Sequence, residues 1–278
     1  MKWFFHPIKS LCQWLENWLD GFRGNNMAID LTDKTSNGND LTNSGAAEYT
    51  ADTPFAASTI TADLELTESD YLYAVDSASL SITGDLSLEC WVKFEALPAA
   101  SGFACFVSKY EDNTGVDDSR SYFFGLYNNA GVGNLRFIYS TDGTYQGVND
   151  RNVTWTPDLA TWYHVAVTFT AATPVLKFYV NGVQQGTDQS PTNTSIHDNA
   201  SNLAIGAGNT KNTARYFLDG IVDDVRVWND VRTITEIDDN KSIELVGNET
   251  GLVAYWPFES LPVVGAFPGY RNLLGVGQ

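Results

Sequence analysis

Leu86, Leu88, Cys90, Val92 and Phe94 alternate along the chain with Ser87, Glu89, Trp91 and Lys93. Successive side chains of a strand point to opposite faces, so this period of two predicts a strand with one face in a core. Tyr163, Val165, Val167 and Phe169 repeat the pattern, and Leu176, Phe178 and Val180 follow within hairpin reach. Asn181-Gly182 then supplies the turn signal that closes a two-residue hairpin. Further apolar runs at 203–206, 216–228 and 252–258 are each bounded by turn residues. Many short strands with long polar loops from Ile29 onward predict an all-β sandwich or jelly roll of two antiparallel sheets.

The opening segment follows a different rule. Phe4, Ile8, Leu11, Leu15, Trp18 and Phe22 recur at alternating spacings of four and three, which places them on one side of a helix. Pro7 suits its first turn, and Gly21 and Gly24 suit its end. The polar side lacks the Lys and Arg enrichment of helices that lie on membranes, which favours a protein contact. Residues 1–26 are therefore expected to be an amphipathic docking or oligomerisation element, 27–260 the sandwich, and 261–278 a tail. The first nineteen residues are too polar to span a bilayer and lack the unbroken apolar stretch of a secretory signal.

Charge narrows the partners. The chain's 34 acidic and 16 basic side chains give a net charge of -18, which opposes binding to nucleic acid or to an anionic bilayer. The same carboxylates are hard oxygen ligands of the kind calcium prefers. Three cysteines without a C-x-x-C pair or a histidine cluster indicate neither a disulfide framework nor a zinc site. Pairing of Cys90 with Cys105 is left open.

Four segments carry a family likeness. Leu86-Ser-Leu-Glu-Cys-Trp-Val-Lys-Phe94, Trp162-Tyr-His-Val-Ala-Val-Thr168, Leu176-Lys-Phe-Tyr-Val-Asn-Gly182 and Gly220-Ile-Val-Asp-Asp-Val-Arg-Val-Trp-Asn229 resemble, in order, strands of laminin-G-like, concanavalin A-like domains. The resemblance covers about 29 to 259 and implies a concanavalin A-like jelly roll with a short helix near Ile234–Ile237. Such domains often open with a strand like Tyr255-Trp-Pro-Phe-Glu259 leading into a loop like Asp33-Lys-Thr-Ser-Asn-Gly-Asn39. Here the loop begins the domain and the strand ends it, so the two ends are expected to meet, with 252–258 pairing where an opening strand would lie.

Alternation puts Asp223 with Ile221, Val225 and Val227 on the buried face, and a bare carboxylate there needs a cation, an arginine or several donors. The resemblance implies a structural Ca2+ held by Asp223 with oxygens from the N-terminal loop, namely Asp33 and Asn39. For a sugar ligand, Trp91, Tyr122, Tyr127, Tyr139 and Trp155 are the candidate platforms, with polar partners expected from the loops at 111–118 and 140–152. Trp162 is a further candidate ring. Glu236-Ile-Asp-Asp239 lacks the second, correctly spaced glutamate of a retaining glucanase strand. His164 reads as structural, and no G-x-S-x-G nucleophile motif occurs. The expected function is a non-catalytic, calcium-stabilised glycan-binding or adhesion module on a virion or extracellular surface. A structural decoration role is the alternative, and a glycoside hydrolase a distant third.

Overall fold

The computed structural model describes residues 27–112, 119–208 and 213–262. The expected N-terminal helix lies outside the described residues, as does the tail from residue 263. Contacts divide the chain into a main unit, Ile29–Glu259, and a second unit formed by its two ends.

In chain order the described strands are β1 (Met27–Ile29), β2 (Leu41–Ser44), β3 (Glu48–Thr50), β4 (Thr61–Leu64), β5 (Tyr71–Ala74) and β6 (Leu86–Phe94). Then come β7 (Phe103–Glu111), β8 (Ser119–Asn129), β9 (Val132–Tyr139), β10 (Asp150–Thr154), β11 (Trp162–Thr170) and β12 (Val175–Val180). The series ends with β13 (Val183–Gln189), β14 (Leu203–Ile205), β15 (Gly220–Trp228), helix α1 (Ile234–Asn240), β16 (Leu252–Trp256) and β17 (Ser260–Pro262). Seven strands form one sheet in the order β10-β9-β8-β7-β14-β5-β2. Eight form the other, β13-β12-β11-β6-β15-β4-β3, with β16 added on β15, while β1 pairs with β17. Every pairing within the two large sheets is antiparallel.

The alternation read from the sequence sets the core. Leu86, Leu88, Cys90, Val92 and Phe94 of β6 face Phe106, Tyr122, Phe124, Phe137 and Tyr139 of the opposite sheet within one continuous apolar layer. Rings meet across it: Phe94 and Phe106 lie 5.9 Å apart, and Tyr139 and Phe169 4.7 Å apart. Asn181 and Gly182, at φ 50° and 77°, close the β12–β13 hairpin as the sequence predicts. Cys90 and Cys105 are both buried and free.

Strand β15 departs from simple alternation. Its register against β6 slips by one residue between Asp223 and Arg226, and Asp224 takes φ 52°, so the strand carries a bulge. Val222, not Ile221, therefore joins Val225 and Val227 in the core. Asp224, Arg226 and Trp228 still face outward from the core, but that face is also covered. Arg226 donates to the carbonyls of Asn240 and Ile243, and Trp91 Nε1 donates to that of Lys241, which seats α1 and the following turn on the sheet.

The ends of the main unit meet as expected. β16 pairs with β15 from Val225 to Trp228, beyond the stretch Gly220–Val222 that pairs with β4. Along the other edge of β16, Lys34 N donates to the Tyr255 carbonyl, and Thr35, Asn37 and Asn39 side chains donate to that of Val253.

Candidate functional site

On the seven-stranded sheet, Tyr122, Phe124, Phe137 and Tyr139 point into the core. Their neighbours Phe123 and Ile138 point the other way and, with Cys105 and Tyr110, form a second apolar cluster on the outer face, against which Phe103 and Tyr216 pack. Gly125 lies opposite Cys105 on β7, where a β-carbon would collide with the Ala104 carbonyl and press on the Phe123 ring. Its bare backbone lets the ring and β7 approach.

The cluster frames a cavity of about 190 Å³ whose lining also includes Asp112, Arg120, Arg136 and Tyr145. Phe103 is the hub, with ring centres 5.9 Å from Phe123, 5.2 Å from Tyr216 and 4.8 Å from Tyr127. The Arg136 guanidinium lies 4.9 Å from the Phe103 ring and 4.7 Å from that of Tyr127. It grips Asp150 through two nitrogens, Nε at 2.7 Å and Nη2, while Tyr145 donates its hydroxyl to the same carboxylate at 2.8 Å. Arg120 stacks over Tyr110 and Tyr145. Tyr216 donates to Asp112 at 2.5 Å, and Arg215 approaches Asp112 at 3.2 Å.

The electrostatics keep these groups in fixed roles. Burial pushes the Tyr110 hydroxyl up to about 12 against the opposing pull of Arg120. Burial, then the bond to Asp112, raises Tyr216 as well. Both remain hydroxyl donors at neutral pH. Burial lowers the Arg136 guanidinium, but Asp150 outweighs it and the net direction is upward. Aromatic faces beside oriented N–H, O–H and carboxylate groups suit a ligand with an apolar face and a hydroxylated edge. A second cavity, of about 480 Å³, is lined by polar side chains such as Asn37, Ser79, Ser81, Thr83, Asp85 and Asn229 and has no aromatic ring.

None of the five aromatic residues predicted as platforms lines this cavity; Tyr127 comes nearest, packed against the lining residues Phe103 and Arg136. Tyr122 and Tyr139 are fully buried between the sheets and are corrected to core residues. Trp91 is covered by Phe55 and by the turn after α1, which removes it from solvent. Trp155 packs on Phe94 and Tyr163, away from the cavity. Trp162 donates to Asp52 and lies beside Lys93. The polar loops served better as guides, since Asp112, Tyr145 and Asp150 come from the segments at 111–118 and 140–152. Sequence reading missed Phe103, Phe123, Arg136 and Tyr216; for the first three the available signal was the polar-face position of apolar and arginine residues in strands whose other face is core, while Tyr216 lies in the loop before β15.

The motifs set aside as non-catalytic have structural partners. Glu236 forms a capping box with Thr233 at the start of α1. His164 lies buried 3.3 Å from Glu89, which also accepts from Trp228 Nε1 and faces Arg226 at 3.6 Å. Burial holds His164 below its ordinary value despite Glu89. Burial also works to raise Glu89, but Arg226 and His164 bring it down to about 2.

A laminin G family model, described as the concanavalin A-like lectin/glucanases superfamily, matches residues 66–238, more than half the chain. The chain belongs to this superfamily. Among curated proteins none matches in sequence. The structure is similar to that of domain 4 of AbnA, an extracellular arabinanase of Geobacillus stearothermophilus solved with arabinotriose, at 16% identity over 77% of this chain and 98% of that one, TM-score 0.53. It is also similar to the enzymatically active domain of tailspike protein 2 of bacteriophage CBA120, at 13% identity over 84% of this chain, TM-score 0.57. The binding domain of Paraclostridial Mosquitocidal Protein 1 matches at 12% identity over 78% of this chain, TM-score 0.51. The chain spans 34% of the tailspike structure and 52% of the mosquitocidal one. At these identities the likeness is one of fold.

The calcium expected on a superfamily fold of this kind can be tested against the donor sets. Asp33 and Asn39 do come together, but the Asp33 carboxylate already accepts five hydrogen bonds: from Thr35 N and Tyr255 N on Oδ1, and from Thr35 Oγ1, Asn39 N and Asn39 Nδ2 on Oδ2. Asn39 Oδ1 accepts from Ser77 and Ser79. This set is saturated with donors and does not fit an ion. Asp223 makes its bonds elsewhere, accepting, among the described residues, from Ser58 Oγ at 2.7 Å and Asp224 N at 2.8 Å, although it is fully buried. Burial raises it well above its ordinary value, and the charges of Asp224 and Glu259 add to the rise. Glu259 is tied to the same loop, accepting from Thr59 N and Oγ1 next to Ser58. Among the described residues, Asp223 is thus a buried carboxylate whose hydrogen-bond partners include no basic group.

Proposed function

We propose that this chain is a non-catalytic glycan-binding module whose sugar site is the arginine–aromatic cavity on the outer face of the seven-stranded sheet. The observation that carries the reading is the hub of Phe103, with Tyr216, Tyr127 and Arg136 around it and Tyr145 and Asp150 wired to the guanidinium. Rings of this kind stack on the apolar face of a sugar, and the fixed hydroxyl, guanidinium and carboxylate groups read its hydroxyls. The arabinotriose-bound arabinanase domain, alike in fold, supports the choice of ligand.

We further propose a structural calcium at Asp223 and Glu259, where the ion would neutralise a buried carboxylate and fix the Ser58–Thr59 loop. Residues 1–26 would dock the module on a larger assembly such as a virion or cell surface, a setting supported by the tailspike likeness. Among the described residues no helix is long and apolar enough to cross a membrane.

The test is a glycan array probed with the full chain and with Tyr145→Ala, in calcium and in chelator. Tyr145 is 52% exposed, so its truncation leaves the core intact. Selective glycan binding that weakens in the variant supports the site. Equal binding by both proteins would move the site elsewhere, and a folded protein that binds no glycan would favour a structural decoration role.

A further inference from the structure

Resting on that reading of the cavity, we infer that it accepts a single neutral sugar residue, end-on, at the terminus of a glycan. Size is the first reason. At about 190 Å³ the cavity falls below the roughly 300–1,000 Å³ of sites that enclose drug-sized ligands. It offers enclosed room for a sugar ring.

The arrangement of the rings is the second. Phe123, at 2% exposure, lies deepest, Phe103 and Tyr216 are half-buried around it, and Tyr145 stands in solvent at the rim. The rings converge on Phe103 in one cluster. A groove that bound a chain along its length would need platforms spaced along the sheet, and the other candidate aromatic residues lie in the core, under α1 or against Tyr163.

Charge pairing is the third. Arg136 is clasped by Asp150, and Asp112 is engaged by Tyr216 and Arg215. Arg120, the second guanidinium of the lining, stacks on Tyr110 and Tyr145 and is also engaged, so an anionic sugar would have to displace a partner of Arg136 or Arg120 or sit beside Asp112, on a protein of net charge -18. A neutral sugar's hydroxyls can accept from the guanidinium and donate to the carboxylates without breaking either pair.

The experiment titrates the full chain with the methyl glycosides of galactose, glucose, mannose and arabinofuranose, with those of N-acetylneuraminic and glucuronic acid, and with oligosaccharides of the four neutral sugars. Binding is read by saturation-transfer NMR and intrinsic fluorescence. One neutral methyl glycoside should bind, its oligomers should bind no more than about threefold tighter, and Tyr216→Phe and Tyr145→Ala should each weaken it about tenfold. Preference for an acidic glycoside, or affinity that climbs tenfold or more with chain length, would overturn the inference while leaving glycan binding standing. Failure of every saccharide to bind the folded protein would overturn both.

Discussion

Asp33 shows how hydrogen-bond donors can occupy a carboxylate expected to hold a metal ion. Five donors converge on its carboxylate, two of them from the Asn39 that shares its loop and one from Tyr255 on the closing strand. Asp33→Ala would leave those donors without an acceptor, and it should destabilise the fold by roughly 2–4 kcal/mol, to the same extent in calcium and in chelator, as read by thermal melting. Glu89 makes a second prediction at this scale. Its folded-state value of about 2 lies below the ordinary 4.5, so its contribution to stability is complete above about 4.5 and drains away as pH falls toward 2. Glu89→Gln should lower stability at pH 7 by about 3 kcal/mol and flatten the pH dependence of the melting temperature across that window. A melting curve as steep in pH as the parent's would show that Glu89 is not the group that titrates there.

Among the elements, strand β15 and helix α1 depend on each other. The bulge at Asp223–Asp224 turns Arg226 toward carbonyls at the end of α1 and just beyond it, while the capping box of Thr233 and Glu236 starts the helix at a fixed point. Thr233→Ala removes the hydroxyl that caps Glu236 N and should cost about 1 kcal/mol, measured as a shift in denaturant midpoint with unchanged slope. The hairpin at Asn181-Gly182 is equally specific. Gly182 combines a φ of 77° with a position where a β-carbon would overlap the Asp238 side chain of α1. The turn was legible in the sequence because only that dipeptide chemistry suits two successive positive φ values. The bulge was not legible, because Ile221, Val222, Val225 and Val227 satisfy a regular and a bulged strand equally well.

At the scale of the whole molecule, the sandwich is closed by contacts between residues two hundred or more positions apart, of the kind Thr35 makes with Val253 and Thr59 with Glu259. If a cation bridges Asp223 and Glu259, it binds only where these distant segments have already met, and so it should raise the melting temperature progressively with calcium concentration. Asp223→Asn should abolish that rise; a rise of the same size in the variant would refute the assignment, and no rise in the parent would remove calcium from the proposed function. The sequence by itself determined the strands, the hairpin, the inward face of β6 and β11 and the superfamily, because period-two alternation and turn chemistry are local. It also marked the loops that carry Asp112, Tyr145 and Asp150. What only the tertiary structure decided was which aromatic residues are reachable. Tyr122 and Phe123 are adjacent in sequence and alike in composition, yet one is sealed between two sheets and the other underlies an open cavity, because what covers each face of a sheet comes from segments far away along the chain.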